Sequence, residues 1–154
     1  MAMEAFQLIP AVLAAPIAGA LVVMLFGRQR LVLSRAVSLG VSGLVFLLSI
    51  RLAAQMKLHG GLIRSAGLAL QIDQLGALLL ITFSGVALVV AIFASQLLEK
   101  EIDRKIAPDY YAVFLLLLAG LVGITTSSDL FGMFLCLEAV MLTAAFLVSA
   151  KGDL

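Results

Sequence analysis

Charged side chains are scarce in this sequence. Of its 154 residues only 12% are charged, 64% are hydrophobic, and the mean hydropathy is +1.22. Soluble domains are about one-quarter charged and roughly half apolar. A single soluble core of this length could not cover so many long apolar runs. The composition therefore excludes an ordinary soluble domain and indicates a protein whose solvent is the lipid bilayer.

Clustered cations and redox or metal ligands are also missing. The net charge is only +1 and no run of Lys and Arg occurs, which excludes a nucleic-acid-binding surface. Cys136 is the only cysteine, so an intrachain disulfide or a CxxC site is excluded, and a packed thiol is expected. His59 is also alone and is expected to be a loop residue without a ligand role. We predict no bound metal or cofactor, and any redox catalysis would belong to partner chains.

Five apolar runs are long enough to cross a membrane. A spanning helix needs about 20 apolar residues to cross the roughly 30 Å hydrocarbon core. The sequence thus predicts an all-α, polytopic membrane protein with residues 1–154 in one transmembrane domain. The five predicted helices cover residues 8–26, 31–54, 75–98, 110–128 and 130–150.

Some features around these runs leave room for other interpretations. The first run contains Pro16, which predicts a kink, and it could be taken for a signal peptide. However, the segment before the run contains Glu4 and no Lys or Arg, whereas a signal peptide needs a basic N-terminal region, so a spanning helix is favoured. The glycine-rich linker 55–71 predicts a short extracytoplasmic hairpin between helices two and three. Tyr110 and Tyr111 are expected in the aromatic belt at the membrane interface.

Short polar side chains mark where two of the helices begin. Asp73 is expected to cap the third helix, because its carboxylate suits the positive end of a helix dipole. Ser128 or Asp129 is expected to cap the fifth helix. Only a short polar segment separates runs four and five, so these helices should pack antiparallel. Gly120 and Gly123 offer a flat packing face on the fourth helix.

Glu138 is the carboxylate that stands apart from the other acids. Eight of the nine acidic residues lie in loops or at helix ends, whereas Glu138 is the ninth residue of the fifth run. At 1.5 Å per residue it lies about 12 Å along the helix, close to the bilayer midplane. An ionised group there costs at least ~2.5 to 3.5 kcal/mol, and such residues mark ion or proton pathways. The alternative is a protonated acid that only hydrogen-bonds to a neighbouring helix.

The surroundings of Glu138 in the sequence contain no cation. Its neighbours one turn away are apolar, and no Lys, Arg or His lies in the middle of any run. Intramembrane hydroxyls could line a water chain but cannot supply positive charge. The counter-charge must therefore come from another polypeptide. The apolar neighbours are Phe134, Leu135, Met141 and Leu142, and the hydroxyls include Thr82, Ser84, Thr125, Thr126 and Thr143.

Runs four and five have a recognisable form. The segment YYAVFLLLLAGLVGITTSSDLFGMFLCLEAVMLTAAFLV combines a tyrosine-led helix, an LAG, a DLF turn and an intramembrane glutamate. It resembles the N-terminal part, the first five helices, of the antiporter-like subunits of Mrp-type Na⁺/H⁺ antiporters, respiratory complex I and membrane-bound hydrogenases. The pattern is most similar to the Mrp D-type subunit. The aspartate-leucine entry to helix three, Asp73 to Leu75, also fits.

This resemblance implies a function and a set of partners. Glu138 matches the glutamate that in the family serves as the proton-pathway acid, paired with a lysine two helices later. Leu137 departs from the family, where an aromatic residue commonly precedes the glutamate. The lysines and broken helices that follow in family members are missing before Leu154, which implies a split gene product or a short paralogue. We therefore expect a subunit of a proton- or cation-translocating complex in the cell inner membrane, or alternatively a non-conducting structural subunit.

Orientation is the testable prediction of the sequence, because short loops rich in Lys and Arg remain cytoplasmic. Five crossings place seven basic residues on one side and three on the other, so the N-terminus should face outward and the C-terminus the cytoplasm. Cysteine-accessibility labelling at the two termini, with Cys136 replaced by Ala, should label them from opposite sides. Labelling of both from the same side would contradict an odd number of crossings. The seven are Arg28, Arg30, Arg35, Lys100, Arg104, Lys105 and Lys151, and the three are Arg51, Lys57 and Arg64.

Overall fold

The chain forms five long helices and one short β-hairpin. The computed structural model describes residues 2–27, 31–59, 62–64, 70–101 and 106–152. The helices are α1 (Ala2–Phe26), α2 (Leu31–His59), α3 (Gln74–Glu101), α4 (Ala107–Thr126) and α5 (Leu130–Gly152). Two antiparallel strands, β1 (Leu62–Arg64) and β2 (Gln71–Asp73), lie between α2 and α3.

All five helices contain a stretch long and apolar enough to cross a membrane, which confirms the expected all-α polytopic architecture. Several helices extend beyond the apolar runs. Helix α1 begins at Ala2, and α2 continues to His59, so His59 ends a helix and the expectation of a loop residue was wrong. Helix α4 begins at Ala107, before the tyrosines, with Pro108 in its first turn, where its missing N–H costs no hydrogen bond. Backbone hydrogen bonding thus carries the helices past the ends of the hydrophobic runs.

Helix α4 is the central helix of the described structure. It contacts α1, α2, α3 and α5, and 61% of its apolar span is buried. The corresponding share for α5 is 0%, and α5 makes extensive contact with α4 alone. Helices α1 to α4 therefore form a closed unit, whereas α5 lies at its edge.

Glycines permit the close approach of neighbouring helices to α4. A Cβ at Gly19 of α1 would lie 2.8 Å from Val41 Cγ2 and 3.2 Å from Leu115 Cδ1. A Cβ at Gly123 would lie 2.5 Å from Cys136 Sγ, so the thiol of α5 fills the space that the glycine leaves open. A Cβ at Gly120 would lie 2.7 Å from Val140 Cγ2, so the valine of α5 fills the space beside this glycine. The predicted packing roles of the α4 glycines and of the Cys136 thiol are confirmed.

The β-hairpin, which precedes α3 in the chain, contacts the turn between α4 and α5. Ile72 of β2 is buried, and Leu70 forms an isolated antiparallel bridge with Ser127. Asp73 Oδ1 accepts a hydrogen bond from the backbone N–H of Gly76 at 2.7 Å, so it caps α3 as predicted. The hairpin and the α4–α5 turn therefore lie at the same end of the molecule.

Tyr111 lies at the opposite end, and its environment differs from the predicted one. Its side chain is only 2% exposed, and its hydroxyl donates to the carbonyl of Ala94 on α3 at 3.4 Å. The ring packs with Ala20 and Val23 of α1, where small and branched side chains leave space for it. The expectation of an interfacial belt position was therefore wrong for Tyr111, because tertiary packing draws its ring into the interior.

The glycine contact between α4 and α5 predicts the effect of Gly123→Ala. Its new methyl group would meet Cys136 Sγ, and such overpacking costs about 1 to 3 kcal/mol. Thermal unfolding of the purified chain in detergent should show this loss of stability. Replacing Cys136 by Ala in the same protein should restore part of it.

Gly40 of α2 provides the matched control, because a Cβ there meets nothing within 4 Å. Gly40→Ala should be neutral or should stabilise by up to about 1 kcal/mol through helix propensity. If Gly123→Ala behaved like Gly40→Ala, the close contact between α4 and α5 would be disproved.

Candidate functional site

Glu138 lies on the exposed side of α5. The side of α5 that packs on α4 carries half-buried residues at three- and four-residue spacing, including Gly132, Cys136, Val140 and Thr143. Glu138 is two residues from both Cys136 and Val140, which at 3.6 residues per turn is about 200° around the helix. The glutamate therefore points away from α4 and from the rest of the described chain.

The surface around Glu138 is apolar and uncovered. Phe134, Leu135, Met141 and Leu142, one turn away on either side, are between 51% and 70% exposed. Among the described residues none donates a hydrogen bond to Glu138 or forms an ion pair with it. The basic side chains that are described, Arg35 and Arg51, lie towards the two ends of α2. The structure thus places Glu138 within a broad apolar face of α5 that the described residues leave exposed.

The start of α5 is fixed by the turn that precedes it. Asp129 Oδ2 accepts a hydrogen bond from the backbone N–H of Gly132 at 3.2 Å, so Asp129, rather than Ser128, is the cap. The hydroxyl of Ser127 donates to the backbone carbonyl of Asp129 at 3.1 Å. Because Ser127 also pairs with Leu70, the hairpin and the cap together hold the N-terminal end of the helix that carries Glu138.

The intramembrane hydroxyls are directed to their own helices. Thr143 donates to the carbonyl of Ala139 at 2.7 Å, and Thr126 donates to that of Val122 at 2.9 Å. Thr82, Ser84 and Thr125 likewise bond to carbonyls one turn earlier. In the part of the chain that the structure describes, Ser84 of α3 and Ser49 of α2 bring two hydroxyls of different helices together, with their oxygens 3.2 Å apart. No hydroxyl contact among these residues leads to Glu138.

An apolar groove runs beside Glu138, between α1 and α5 and above α4. It encloses about 540 Å³. Leu135 and Leu142, which flank Glu138 at i−3 and i+4, form its α5 edge, so the glutamate lies on the next strip of the helix surface. We call this depression the α1–α5 groove. Other residues that line it are Leu13, Ile17, Leu116, Ala119, Gly120, Cys136, Ala139 and Thr143.

Comparison with known proteins gives limited but specific similarity. No protein-family model matches the chain. Subunit N of an NADH-quinone oxidoreductase from Desulforudis audaxviator is 36% identical over 88 residues. These residues make up 56% of this chain but only 17% of that relative. The match supports the predicted resemblance to antiporter-like subunits of the complex I type. It does not confirm the predicted similarity to the Mrp D-type subunit.

Two parts of the site did not emerge from the sequence. One is the contact of the hairpin with the α4–α5 turn through Leu70 and Ser127. This contact is a backbone bridge, and the side-chain types at the two positions do not predict it. The other is the α1–α5 groove. Its signal in the sequence was the pair Gly120 and Gly123, which predicted close packing on α4. The pair did not predict that the side of α4 next to Gly120 would remain open.

The capped turn predicts how α5 responds to substitution of Asp129. Asp129→Ala removes the acceptor for the N–H of Gly132 and should destabilise the chain by about 0.5 to 2 kcal/mol. Asp129→Asn keeps an oxygen acceptor and should retain most of that stability. Thermal unfolding in detergent, followed by helical circular dichroism, measures both. Equal losses for the two variants would show that charge, and not the cap, is what matters there.

Proposed function

We propose that this chain is a membrane subunit of a multi-subunit proton- or cation-translocating complex. In this proposal Glu138 contributes a proton-transfer group to a pathway that another chain completes. The observation that carries the proposal is the position of Glu138, midway along a spanning helix and on its exposed face. Carboxylates at that depth are costly and mark ion or proton pathways.

The same position determines what the partner must supply. The apolar neighbours of Glu138 cannot compensate an ionised carboxylate, and neither can lipid tails. A cation about 4 Å away would interact with it by about 4 kcal/mol at an effective dielectric constant near 20. That is comparable with the ~2.5 to 3.5 kcal/mol cost on insertion scales. We therefore expect a lysine or another cation of a second membrane subunit opposite Glu138.

Two kinds of host complex fit this role. The similarity to subunit N of an NADH-quinone oxidoreductase favours a complex I-like or hydrogenase-like, redox-driven pump in the cell inner membrane. Redox catalysis would then reside in other subunits. An Mrp-type antiporter is the alternative host, and it rests on the motif in helices α4 and α5. In either host the basic residues favour an N-terminus outside and a C-terminus in the cytoplasm.

A non-conducting structural subunit is the second candidate function. It is favoured by the hydroxyls of α3, α4 and α5, which are bonded to their own helix carbonyls and form no described path to Glu138. In that case Glu138 would remain protonated and would hydrogen-bond to a neighbouring subunit. Membrane helices are held together by such bonds, typically worth about 0.6 to 2 kcal/mol each.

Glu138→Gln separates the two candidates, because the amide keeps the size and the hydrogen bonds of the acid but cannot release a proton. In the intact complex reconstituted into vesicles with a pH-sensitive dye, the variant should lose at least tenfold in proton flux. A structural role predicts wild-type flux with at most mildly weakened assembly. Asp129→Asn serves as the control, since it alters an acid outside the membrane centre and preserves the cap.

The isolated chain provides a further comparison in the same assay. One acid and a few self-bonded hydroxyls do not build two half-channels, so vesicles with this chain alone should show no flux above empty vesicles. Robust flux from the isolated chain would overturn the proposal that another chain completes the pathway.

A further inference from the structure

The interior side of α2 carries a column of buried serines. Its members are spaced by four, four and seven residues, which places them on one side of the helix. They are Ser34, Ser38, Ser42 and Ser49, and none is more than 1% exposed. Ser42 and Ser49 donate to backbone carbonyls one turn earlier, at 2.8 and 2.7 Å. Ser34 and Ser38 differ from them, because neither hydroxyl has a hydrogen-bond partner within the described part of the chain.

The two unpartnered hydroxyls are consecutive in this column. Buried polar groups are normally paired with other protein groups or with ordered water, because an unpaired one loses its hydration without compensation. Residues four apart on a helix have their Cβ atoms about 5 to 6 Å apart, which is too far for Ser34 and Ser38 to bond directly. One water molecule that bonds to both oxygens at about 2.8 Å spans that distance. We propose that the closed unit of α1 to α4 holds an ordered water molecule that bridges Ser34 and Ser38.

Helix α1 offers this water a third partner. Gly27, which follows α1, has no room for a side chain, because its Cβ would clash with Ser34 Oγ and with the carbonyl oxygen of Val23. Ser34 Oγ therefore lies beside the C-terminal end of α1. The carbonyl of Val23 accepts a hydrogen bond from the N–H of Gly27 at 2.7 Å, and its second lone pair is free to accept one from water.

Helix α3 brings a further hydroxyl to the level of Ser38. Ser49 and Ser84 mark where α2 and α3 meet, with their oxygens 3.2 Å apart. Because the two helices run antiparallel, Ser38, eleven residues before Ser49, and Ser95, eleven residues after Ser84, lie about three turns from that contact at the same level. Ser95 is 5% exposed and donates to the carbonyl of Ile92 at 2.7 Å, so its oxygen can still accept a hydrogen bond. Buried waters make about three hydrogen bonds, and α1, α2 and α3 together offer that number.

This water site is separate from the Glu138 face in place and in role. It lies inside the closed unit near the start of α2, at the end opposite to the hairpin, whereas Glu138 points away from that unit. Its role is to hold the ends of α1, α2 and α3 together through one shared molecule. The inference therefore does not depend on the proposed function, and its test requires no measurement of proton flux.

A double-mutant cycle on the purified chain in detergent tests the water site. Ser34→Ala and Ser38→Ala should each lower Tm by about 2 to 4 °C, since each removes one anchor of the bridging water. The double variant should lose little more than either single variant, because the first change already releases the water. Ser38→Ala combined with Ser42→Ala is the matched control. These serines are also four residues apart, but Ser42 bonds to its own helix, so their effects should add.

Two results of the cycle would overturn the proposal. Additive losses for Ser34→Ala and Ser38→Ala would show that each hydroxyl is satisfied separately, as by rotation onto a carbonyl of its own helix. An unchanged or higher Tm in either single variant would show that the hydroxyl takes part in no stabilising bond. A density map of the protein that resolves other buried waters gives a second measurement. It should show density between the two serine oxygens, and its absence there would contradict the water site.

Discussion

The close approach of α5 to α4 determines which way Glu138 points. Gly120 and Gly123 bring the two backbones together, and Cys136 and Val140 occupy the space that the glycines leave. Once these residues face α4, the 3.6-residue period of the helix places Glu138 on the far side. Among the described residues, Glu138 is the acid that lies midway along an apolar span, and its direction is thus set by contacts that contain no charge.

Helix α5 is attached to the closed unit of α1 to α4 along one side and at one end. The side is the glycine contact with α4, and the end is the turn at which Asp129 caps α5 and Ser127 pairs with Leu70 of the hairpin. Neither attachment involves the face that carries Glu138. That face is therefore available to a partner without any disruption of the chain's own packing, which is the property expected of an interface helix.

The features that the sequence predicted well are those encoded locally. Apolar length gave the five spans, and short acids before helices gave the caps at Asp73 and Asp129. The rotation of α5 and the burial of Tyr111 could not be predicted in the same way. They depend on which sides of neighbouring helices meet, and a helix that is apolar on all sides carries little information about its orientation. The groove could not be predicted from the sequence for the same reason, since α1, which is distant along the chain, forms it together with α4 and α5.

Glu138 differs from most polar residues of the described apolar spans in being exposed. Intramembrane polar side chains usually face the protein interior. Ser38, Ser42, Ser49 and Ser84 obey this rule, each being no more than 1% exposed. Hydroxyls can also remain on the surface when they bond to their own helix, as Thr82 does with Leu78. A carboxylate cannot be satisfied in that way, because a helix backbone offers it no free N–H groups away from the N-terminus. The exposed position of Glu138 is therefore consistent with the proposal that this face of α5 becomes an interior surface in a larger assembly.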